Sequence, residues 1–317
     1  MHPDSSVHLT GNRAAVSIFY GIRGGIITVK QLTKVGLTLL LGIAAGISLV
    51  PIVLTFTNSL MTEREIGLNY DWIWKMPDAA AGGKDAFVNL KWIPDWLSFN
   101  QYAEVLVRNP KFLHMFWNSV GLVVPIILGQ IVVASLAAYA FAKLRFPGRD
   151  KWFLCYLMTM LMPFQVTLVP NYIILDKLGL LNTRLAIVLP GIFAAFGVFM
   201  LRQFMLHLPG VLTEAAKMDG ADHYTIFGQI VLPLVKPGIA ALAVLLFVDY
   251  WNMVEQPLIF LQDVVQQPLS LYLAEIGKEA KGVVFAASVL YMSPMVLLYL
   301  YAQSHFIEGI QLSGIKG

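Results

Sequence analysis

Long apolar runs that are almost free of charge are the feature that most constrains how this chain folds. A helix needs about 20 apolar residues to cross the roughly 30 Å hydrocarbon core of a bilayer. With 57% hydrophobic and only 13% charged residues, the chain has too much apolar surface for an aqueous core. Five runs carry no charged residue: 37–57, 117–142, 152–175, 185–201 and 282–304. A sixth run, 237–259, carries two charged residues.

These runs predict an all-α, polytopic membrane protein with six transmembrane helices. Helices are expected because lipid offers no partner to the open backbone groups of irregular chain or of sheet edges. The runs are also too long and too unbroken for the alternating strands of a membrane barrel. No small-residue cleavage site follows the first run, so it is predicted to be an uncleaved span.

The distribution of lysine and arginine predicts which side of the membrane each connection faces. Cytoplasmic connections are enriched in both residues. Residues 1–36 contain four of them, the connection 143–151 contains four and the connection 202–236 contains three. These three segments fall on one side when six spans are threaded in order. Both termini are therefore predicted to be cytoplasmic.

The same threading gives the predicted organisation of the chain. A long connection between the first and second spans contains four tryptophans and several prolines, which favours an ordered structure over a floppy linker. The predicted segments are a cytoplasmic N-terminal segment (1–36), a first transmembrane helix (37–57), an extracytoplasmic excursion (58–116), a core transmembrane domain (117–306) that includes the 202–236 loop, and a cytoplasmic tail (307–317).

The 202–236 loop predicts two short helices around a glycine break. Pro209 suits a helix start, where its missing N–H is no loss. Gly220 permits a left-handed turn. Asp222 is placed to cap the next helix by accepting a hydrogen bond from the Thr225 N–H.

Two further features of the loop concern its surfaces. Ala215 and Ala216 are small enough for another protein to approach closely. Beyond the glycine an apolar stripe recurs at helical spacing, formed by Tyr224, Phe227, Ile230 and Val231. Taken alone, the stripe favours an amphipathic helix that lies on the bilayer.

The whole loop resembles the EAA loop of binding-protein-dependent ABC importer permeases. In that pattern three residues separate E-A-A from a glycine, and nine more separate the glycine from I-x-L-P. Glu214-Ala215-Ala216, Gly220 and Ile230-Val231-Leu232-Pro233 match it in order and spacing. The resemblance covers roughly residues 100–317, through further motifs such as Asn118-Ser119, Met162-Pro163, Trp251-Asn252 and a C-terminal Gly314-Ile315-Lys316-Gly317 similar to the carbohydrate, maltose-type subgroup.

The resemblance implies a function and a set of partners. The loop would couple the chain to a separate cytoplasmic ATPase subunit through Glu214, Ala215, Ala216, Asp219, Gly220 and Ala221. The other implied partners are an extracytoplasmic solute-binding protein and a second permease, expected to be a different, homologous chain. The chain would be a multi-pass protein of the cell (inner) membrane and form half of the pathway for a carbohydrate. Polyols, glycerol phosphates and modified uronides are carried by similar permeases and stay open as substrates.

No cofactor or catalytic centre is expected in this chain. It has no G-x-x-x-x-G-K-[ST] phosphate loop, so ATP and Mg are expected to bind the partner ATPase. The six histidines lack metal-ligand spacing, and no serine or cysteine is visibly paired with a base. A net charge of +3 does not suggest a nucleic-acid partner.

The sixth run contains the candidate substrate pathway. A charge near the bilayer centre costs about 2.5–3.5 kcal/mol, so Asp249 and Glu255 should face protein or water. In a continuous helix they share one polar face with Asn252 and Gln256. The candidate pathway residues are Asp249, Tyr250, Trp251, Asn252, Glu255 and Gln256, with Tyr250 or Trp251 stacking on the sugar.

Other interpretations of these residues stay open at this point. The acids could pair with the second permease or lie near the outer interface. Asp249 and Glu255 could also be the proton or cation sites of an ion-coupled secondary transporter, but that leaves the 202–236 loop unexplained. No motif favours an intramembrane enzyme or a passive channel.

Overall fold

The computed structural model describes residues 29–75, 90–279 and 283–314. This part of the chain contains helices and turns and no β-strand. Its α-helices are α1 (Val29–Ser59), α2 (Glu63–Lys75), α3 (Asn100–Ala103), α4 (Pro110–Lys143), α5 (Arg149–Met160), α6 (Phe164–Lys177), α7 (Leu185–Ile192), α8 (Ala195–Leu206), α9 (Gly210–Met218), α10 (His223–Thr225), α11 (Leu232–Leu234), α12 (Lys236–Trp251), α13 (Glu255–Phe260), α14 (Leu269–Glu279) and α15 (Val284–Gly314). Short π-helical turns at Glu104–Arg108 and Ile226–Val231 and a 3-10 turn at Val264–Gln266 connect some of them.

The described helices include four that are long and apolar enough to cross a membrane. These are Lys34–Ser59, Pro110–Lys143, Leu185–Leu206 and Val284–Gln303. Two bent pairs also qualify by composition: α5 with α6, at 96°, and α10–α11 with α12, at 71°. The all-helical membrane architecture is therefore confirmed, and the number of spans is six if each bent pair is one span.

The helix bounds differ from the apolar runs in several places. α4 begins at Pro110, before the predicted start at 117, and α15 extends to Gly314, into the predicted 307–317 tail. The run 152–175 is divided by a break at residues 161–163, because a proline disfavours helical backbone in the residue before it. Residues 1–28 of the predicted 1–36 segment and residues 315–317 of the predicted 307–317 tail lie outside the described residues.

The chain forms two compact units, divided between Leu54 and Thr55. The described part of the first unit is most of α1, which carries no charged residue after Lys34. The second unit contains all the other helices.

Helix α4 lies at the centre of the second unit, where it packs against α7, α8, α12 and α14. Small residues allow the closest approaches. A Cβ on Gly129 would lie 2.6 Å from the Ile192 side chain, and one on Gly197 would lie 3.0 Å from the Ala134 Cβ. Such close backbone packing is typical of helix pairs in membranes, where dispersion contacts replace the hydrophobic effect.

Specific contacts hold the described part of the predicted 58–116 excursion. The Asn58 amide donates to the Tyr70 hydroxyl at 2.7 Å, and the Gln101 amide donates to the Met61 carbonyl. The Lys91 ammonium lies 2.9 Å from a carboxylate oxygen of Glu65, whose side chain is buried. Residues 76–89 of the excursion are outside the described ranges.

Candidate functional site

The loop between α8 and α12 has the predicted helix–turn–helix geometry. α9 follows Pro209, and the chain then turns at Gly220, whose φ of +81° is in the left-handed region. The Asp222 carboxylate accepts a hydrogen bond from the Thr225 N–H at 2.8 Å and caps α10. Hydrogen bonds from the Thr225 hydroxyl and backbone hold the pKa of Asp222 below its usual range, so this cap is ionised at neutral pH.

Contacts with α4 fasten the loop to the membrane-spanning part of the chain. The Tyr139 hydroxyl lies 3.2 Å from Nδ1 of His223, and its ring packs on Phe227 with 5.2 Å between centroids. The Lys143 ammonium, at the end of α4, donates to the Leu208 carbonyl at 2.9 Å. These contacts join the loop directly to α4.

The predicted apolar stripe of the loop is wrong at its first position. Tyr224 is 84% exposed, whereas Ile226 and Val231 are buried and Phe227 and Ile230 are half-buried. Tyr224 lies in the short helix α10, before the π-helical turn Ile226–Val231 that carries the other three positions of the stripe.

The exposed surface of the loop combines apolar and charged side chains. Large apolar side chains that face outward are Val211, Leu212, Met218 and Tyr224. Of the two alanines expected to admit a partner, Ala215 is exposed, but Ala216 is buried against the chain's own core. Glu214, Asp219 and Gly220 are exposed and Ala221 is half-buried. Val211, Leu212, Met218 and Tyr224 are thus open to contact with another molecule.

The second candidate site is a break in the predicted 237–259 span. α12 ends at Trp251 and α13 begins only at Glu255, so the prediction of one continuous helical face is wrong. The polar residues come together nevertheless, because the break folds them around a cavity of about 430 Å³, lined among others by Asp249, Asn252, Glu255 and Gln256. Non-helical backbone at membrane depth is tolerated only where protein or water satisfies it.

A second broken span meets this cavity. Phe164, the first residue of α6 after the break at 161–163, lines the same cavity. The Gln165 amide donates to a carboxylate oxygen of Glu255 at 3.2 Å. The starts of α6 and α13 therefore lie side by side, and both breaks open onto one polar space.

The two aromatic residues predicted to stack on a sugar are buried within the chain. Trp251 is 1% exposed; its indole N–H donates to the Tyr291 carbonyl at 3.1 Å, and its ring stacks on Phe247. Tyr250 is 8% exposed, and its hydroxyl donates to the Gly191 carbonyl at 3.4 Å. The placement of Trp251 at the margin of the pathway is therefore wrong, since its indole is buried among Phe116, Phe247 and Tyr291.

Asn252 combines cavity lining with a structural contact. Its amide nitrogen donates to the Val248 carbonyl at 2.7 Å, in the last turn of α12. Its side-chain oxygen accepts from the Tyr291 hydroxyl at 2.8 Å. Asp249, by contrast, is exposed and has no hydrogen bond or ion pair with any other described residue.

Two residues of the cavity region were missed by the sequence analysis. Gln130 on α4 is fully buried, donates to the Ala194 carbonyl at 3.3 Å, and lines a neighbouring cavity of about 330 Å³ with Asp249 and Tyr250. Gln165 contacts Glu255, as described above. Both are polar residues inside apolar runs, which is the signal that would have found them. Within the described ranges, no three His, Cys, Asp or Glu side chains converge as metal ligands.

The Asn118-Ser119 pair fastens the connection between α13 and α14. The Asn118 amide donates to the Val265 and Gln267 carbonyls at 2.6 and 3.1 Å, and the Ser119 hydroxyl accepts from the Leu269 N–H at 2.8 Å. This contact fixes the end of α4 opposite to the one that holds the 202–236 loop.

Comparison with solved structures supports this architecture. One chain of a bacterial ABC transporter involved in the import of the acidic polysaccharide alginate superimposes with a TM-score of 0.71, covering 89% of this chain and 99% of that one. The identity is 24%, so this match shows the fold alone.

Sequence comparisons identify the family. Residues 113–310 match the model of the "Binding-protein-dependent transport system inner membrane component" family. The arabinooligosaccharides transport system permease protein AraQ of Halalkalibacterium halodurans is 33% identical over 234 residues, 73% of this chain and 84% of the relative. The sn-glycerol-3-phosphate transport system permease protein UgpE of Salmonella typhi is 31% identical over 277 residues, 86% of this chain and 93% of the relative. These matches favour the importer prediction over the ion-coupled and enzymatic alternatives. The chain therefore belongs to the binding-protein-dependent transport system inner membrane components, the multi-pass permease subunits of ABC importers.

Proposed function

We propose that this chain forms half of the translocation pathway of an ATP-driven importer for a neutral carbohydrate. The observation that carries this proposal is the meeting of two helix breaks, at 161–163 and 252–254, at one cavity lined by Asp249, Asn252 and Glu255. In this proposal each bent pair is one span, which gives six spans and cytoplasmic termini. A second permease, a different homologous chain, completes the pathway.

The charge of the cavity lining supports a neutral substrate. The relatives described above transport chemically different solutes: arabinooligosaccharides, which are neutral, and glycerol phosphate, which is an anion. The 430 Å³ cavity is lined by two carboxylates and by no basic side chain. Carboxylates accept hydrogen bonds from sugar hydroxyls but repel a phosphate or a uronate.

The substrate class is tested on the cognate solute-binding protein. Thermal-shift screening should show stabilisation by neutral oligosaccharides or polyols. Stabilisation by glycerol phosphates or uronides alone would contradict the proposal.

The pathway itself is tested at Asp249, because this side chain makes no contact that folding depends on. We expect Asp249→Leu complexes to assemble and to lose most transport. Asn252→Leu should also reduce transport, but through the α12–α15 junction and with lower thermal stability. Normal transport by the assembled Asp249→Leu complex would remove this residue from the pathway, and failed assembly would assign it to the permease interface.

The coupling role rests on the exposed apolar surface of the loop. In the proposed complex this surface docks in a groove on an ATPase subunit, which binds ATP and Mg. Glu214 is exposed beside it and is proposed as the charged contact. The solute-binding protein would deliver the sugar from the opposite side of the membrane.

Charge reversal tests the coupling role. An exposed ion pair contributes about 0.2–1 kcal/mol, and a reversed charge adds repulsion, so Glu214→Lys should weaken ATPase copurification several-fold and lower transport. Glu275→Lys, an equal reversal at an exposed residue of α14, is the control. Wild-type transport by Glu214→Lys would mean that the loop is not the coupling element.

A further inference from the structure

A cluster of basic side chains surrounds the connection between α4 and α5. One cavity of about 480 Å³ lies against this connection, and a larger one of about 760 Å³ lies between it and α9. The two cavities share Arg145 and Arg149. We call the basic residues that line them the basic pocket: Lys143, Arg145, Arg149, Lys151 and Lys217.

Much of the positive charge of the basic pocket is not neutralised by the described part of the chain. Asp150 and Glu214 are the acidic side chains that line the two cavities. Asp150 pairs with Arg149 at 3.1 Å and also lies 3.6 Å from Arg202, which is outside the pocket. Arg145 and Lys151 are exposed and have no ion pair with any described residue.

The backbone adds a further positive field at the same place. α5 begins at Arg149. The residue before it, Gly148, is at the N-cap position and has no side chain to cap the first turn. A helix N-terminus favours an anion, and here basic side chains flank it. The basic side chains and the helix N-terminus together fit a phosphate group, which offers more acceptor oxygens than a carboxylate.

The position of the pocket indicates that such a phosphate belongs to a lipid. The connection joins two membrane-spanning segments through only a few residues, so it stays close to the bilayer surface. Directly after it, α5 carries three exposed apolar side chains, whose exposed fractions are 65% for Trp152, 55% for Leu154 and 55% for Met158. An aromatic residue at the interface, followed by an apolar face and preceded by a basic pocket, is the arrangement that recognises an anionic lipid.

We propose that the basic pocket binds the phosphate headgroup of an anionic membrane lipid, with Arg145 and Lys151 as its main contacts. Its acyl chains lie along the exposed apolar face of α5. The pocket is on the side predicted to be cytoplasmic, and its larger cavity is also lined by Gly210, Glu214 and Lys217 of α9. Arg145 lines both cavities, so the proposed site adjoins the proposed coupling helix. The binding itself does not depend on the proposed transport function.

Native mass spectrometry of the purified, complete importer tests the proposal. The complex is released from nanodiscs of phosphatidylcholine that contain phosphatidylglycerol, and retained phosphatidylglycerol is counted. The wild-type complex should retain this lipid on the chain, and Arg145→Gln/Lys151→Gln should retain about tenfold less, since each basic residue at a bilayer surface contributes several-fold in affinity. Lys34→Gln/Lys236→Gln removes equal charge from the same predicted side, outside the pocket, and should behave as wild type.

The other outcomes each overturn the proposal. Equal lipid retention by the wild type and the pocket variant would exclude a lipid site. If the pocket variant loses ATPase subunits while it retains the lipid, the ATPase covers the pocket. If inorganic phosphate in pure phosphatidylcholine nanodiscs stabilises the wild type but not the pocket variant, with equal lipid retention, the ligand is a soluble anion.

Arg145→Lys, which keeps the charge and the fold, should retain the lipid. Loss of the lipid in that variant would contradict recognition by charge.

Discussion

Gly220 is the residue whose backbone shapes the coupling loop. Its φ of +81° lies in a region that costs an L-residue about 1–2 kcal/mol, whereas a Cβ built at this position would meet no atom within 4 Å. Within this chain, a substitution here therefore acts through the backbone conformation and not through a clash.

The cost of the left-handed conformation predicts how Gly220 variants rank in ATPase binding and transport. Asn tolerates the left-handed region better than Ala, and β-branched Val tolerates it least. We expect ATPase copurification and transport to fall in the order Gly, Asn, Ala, Val, with membrane insertion unchanged. An Ala variant that outperforms Asn would show that side-chain size, and not φ, governs the loop.

Single residues also show where sequence reasoning was sufficient. The Asp222 cap and the Gly220 turn depend on local backbone geometry, so residue type and spacing predicted both. Trp251 and Ala216 were placed wrongly, because residue type does not show which neighbours cover a side chain. The burial of Trp251 depends on Phe247 within its own helix and on Tyr291, which is distant in the sequence.

At the scale of helices, the breaks within spans are the features that position the cavity. The Tyr291 side chain of α15 joins the end of α12: its hydroxyl donates to the Asn252 side-chain oxygen and lies 3.0 Å from the Trp251 carbonyl. Tyr291 therefore holds the break in the position that opens it onto the cavity.

Removal of that hydroxyl should loosen the break without removing a cavity-lining group. A hydrogen bond contributes about 0.5–1.5 kcal/mol net, so we expect Tyr291→Phe to lower the apparent melting temperature by roughly 1–4 °C and to reduce transport. Tyr299→Phe on the same helix is the control, because Tyr299 is exposed and its hydroxyl makes no bond to the described residues. Equal melting temperatures and transport rates for both variants would contradict this role of Tyr291.

At the scale of the whole molecule, the testable property is which side of the membrane each connection faces. Met218 in the coupling loop is 89% exposed and Trp96 in the excursion is 78% exposed, so both positions are open to reagents. We expect a membrane-impermeant maleimide to label Trp96→Cys in intact cells and Met218→Cys only after permeabilisation. The background is Cys155→Ala, since that thiol is itself exposed. Labelling of Met218→Cys from outside would overturn the entire topology.

The sequence by itself determined that this protein lies in a membrane, that it is helical and to which family it belongs. Apolar runs as long as a bilayer is thick permit only helices, and the spacing from Glu214 to Pro233 identified the loop, because these properties depend on composition and local order. Only the tertiary structure decided where the spans break and which polar groups meet there. The contact between Gln165 and Glu255 and the burial of Gln130 depend on how helices distant in sequence pack together. Periodicity along a single helix carries no information about such packing. The sequence therefore predicted a continuous polar face from Asp249 to Gln256, whereas the folded chain has a break there that borders a cavity.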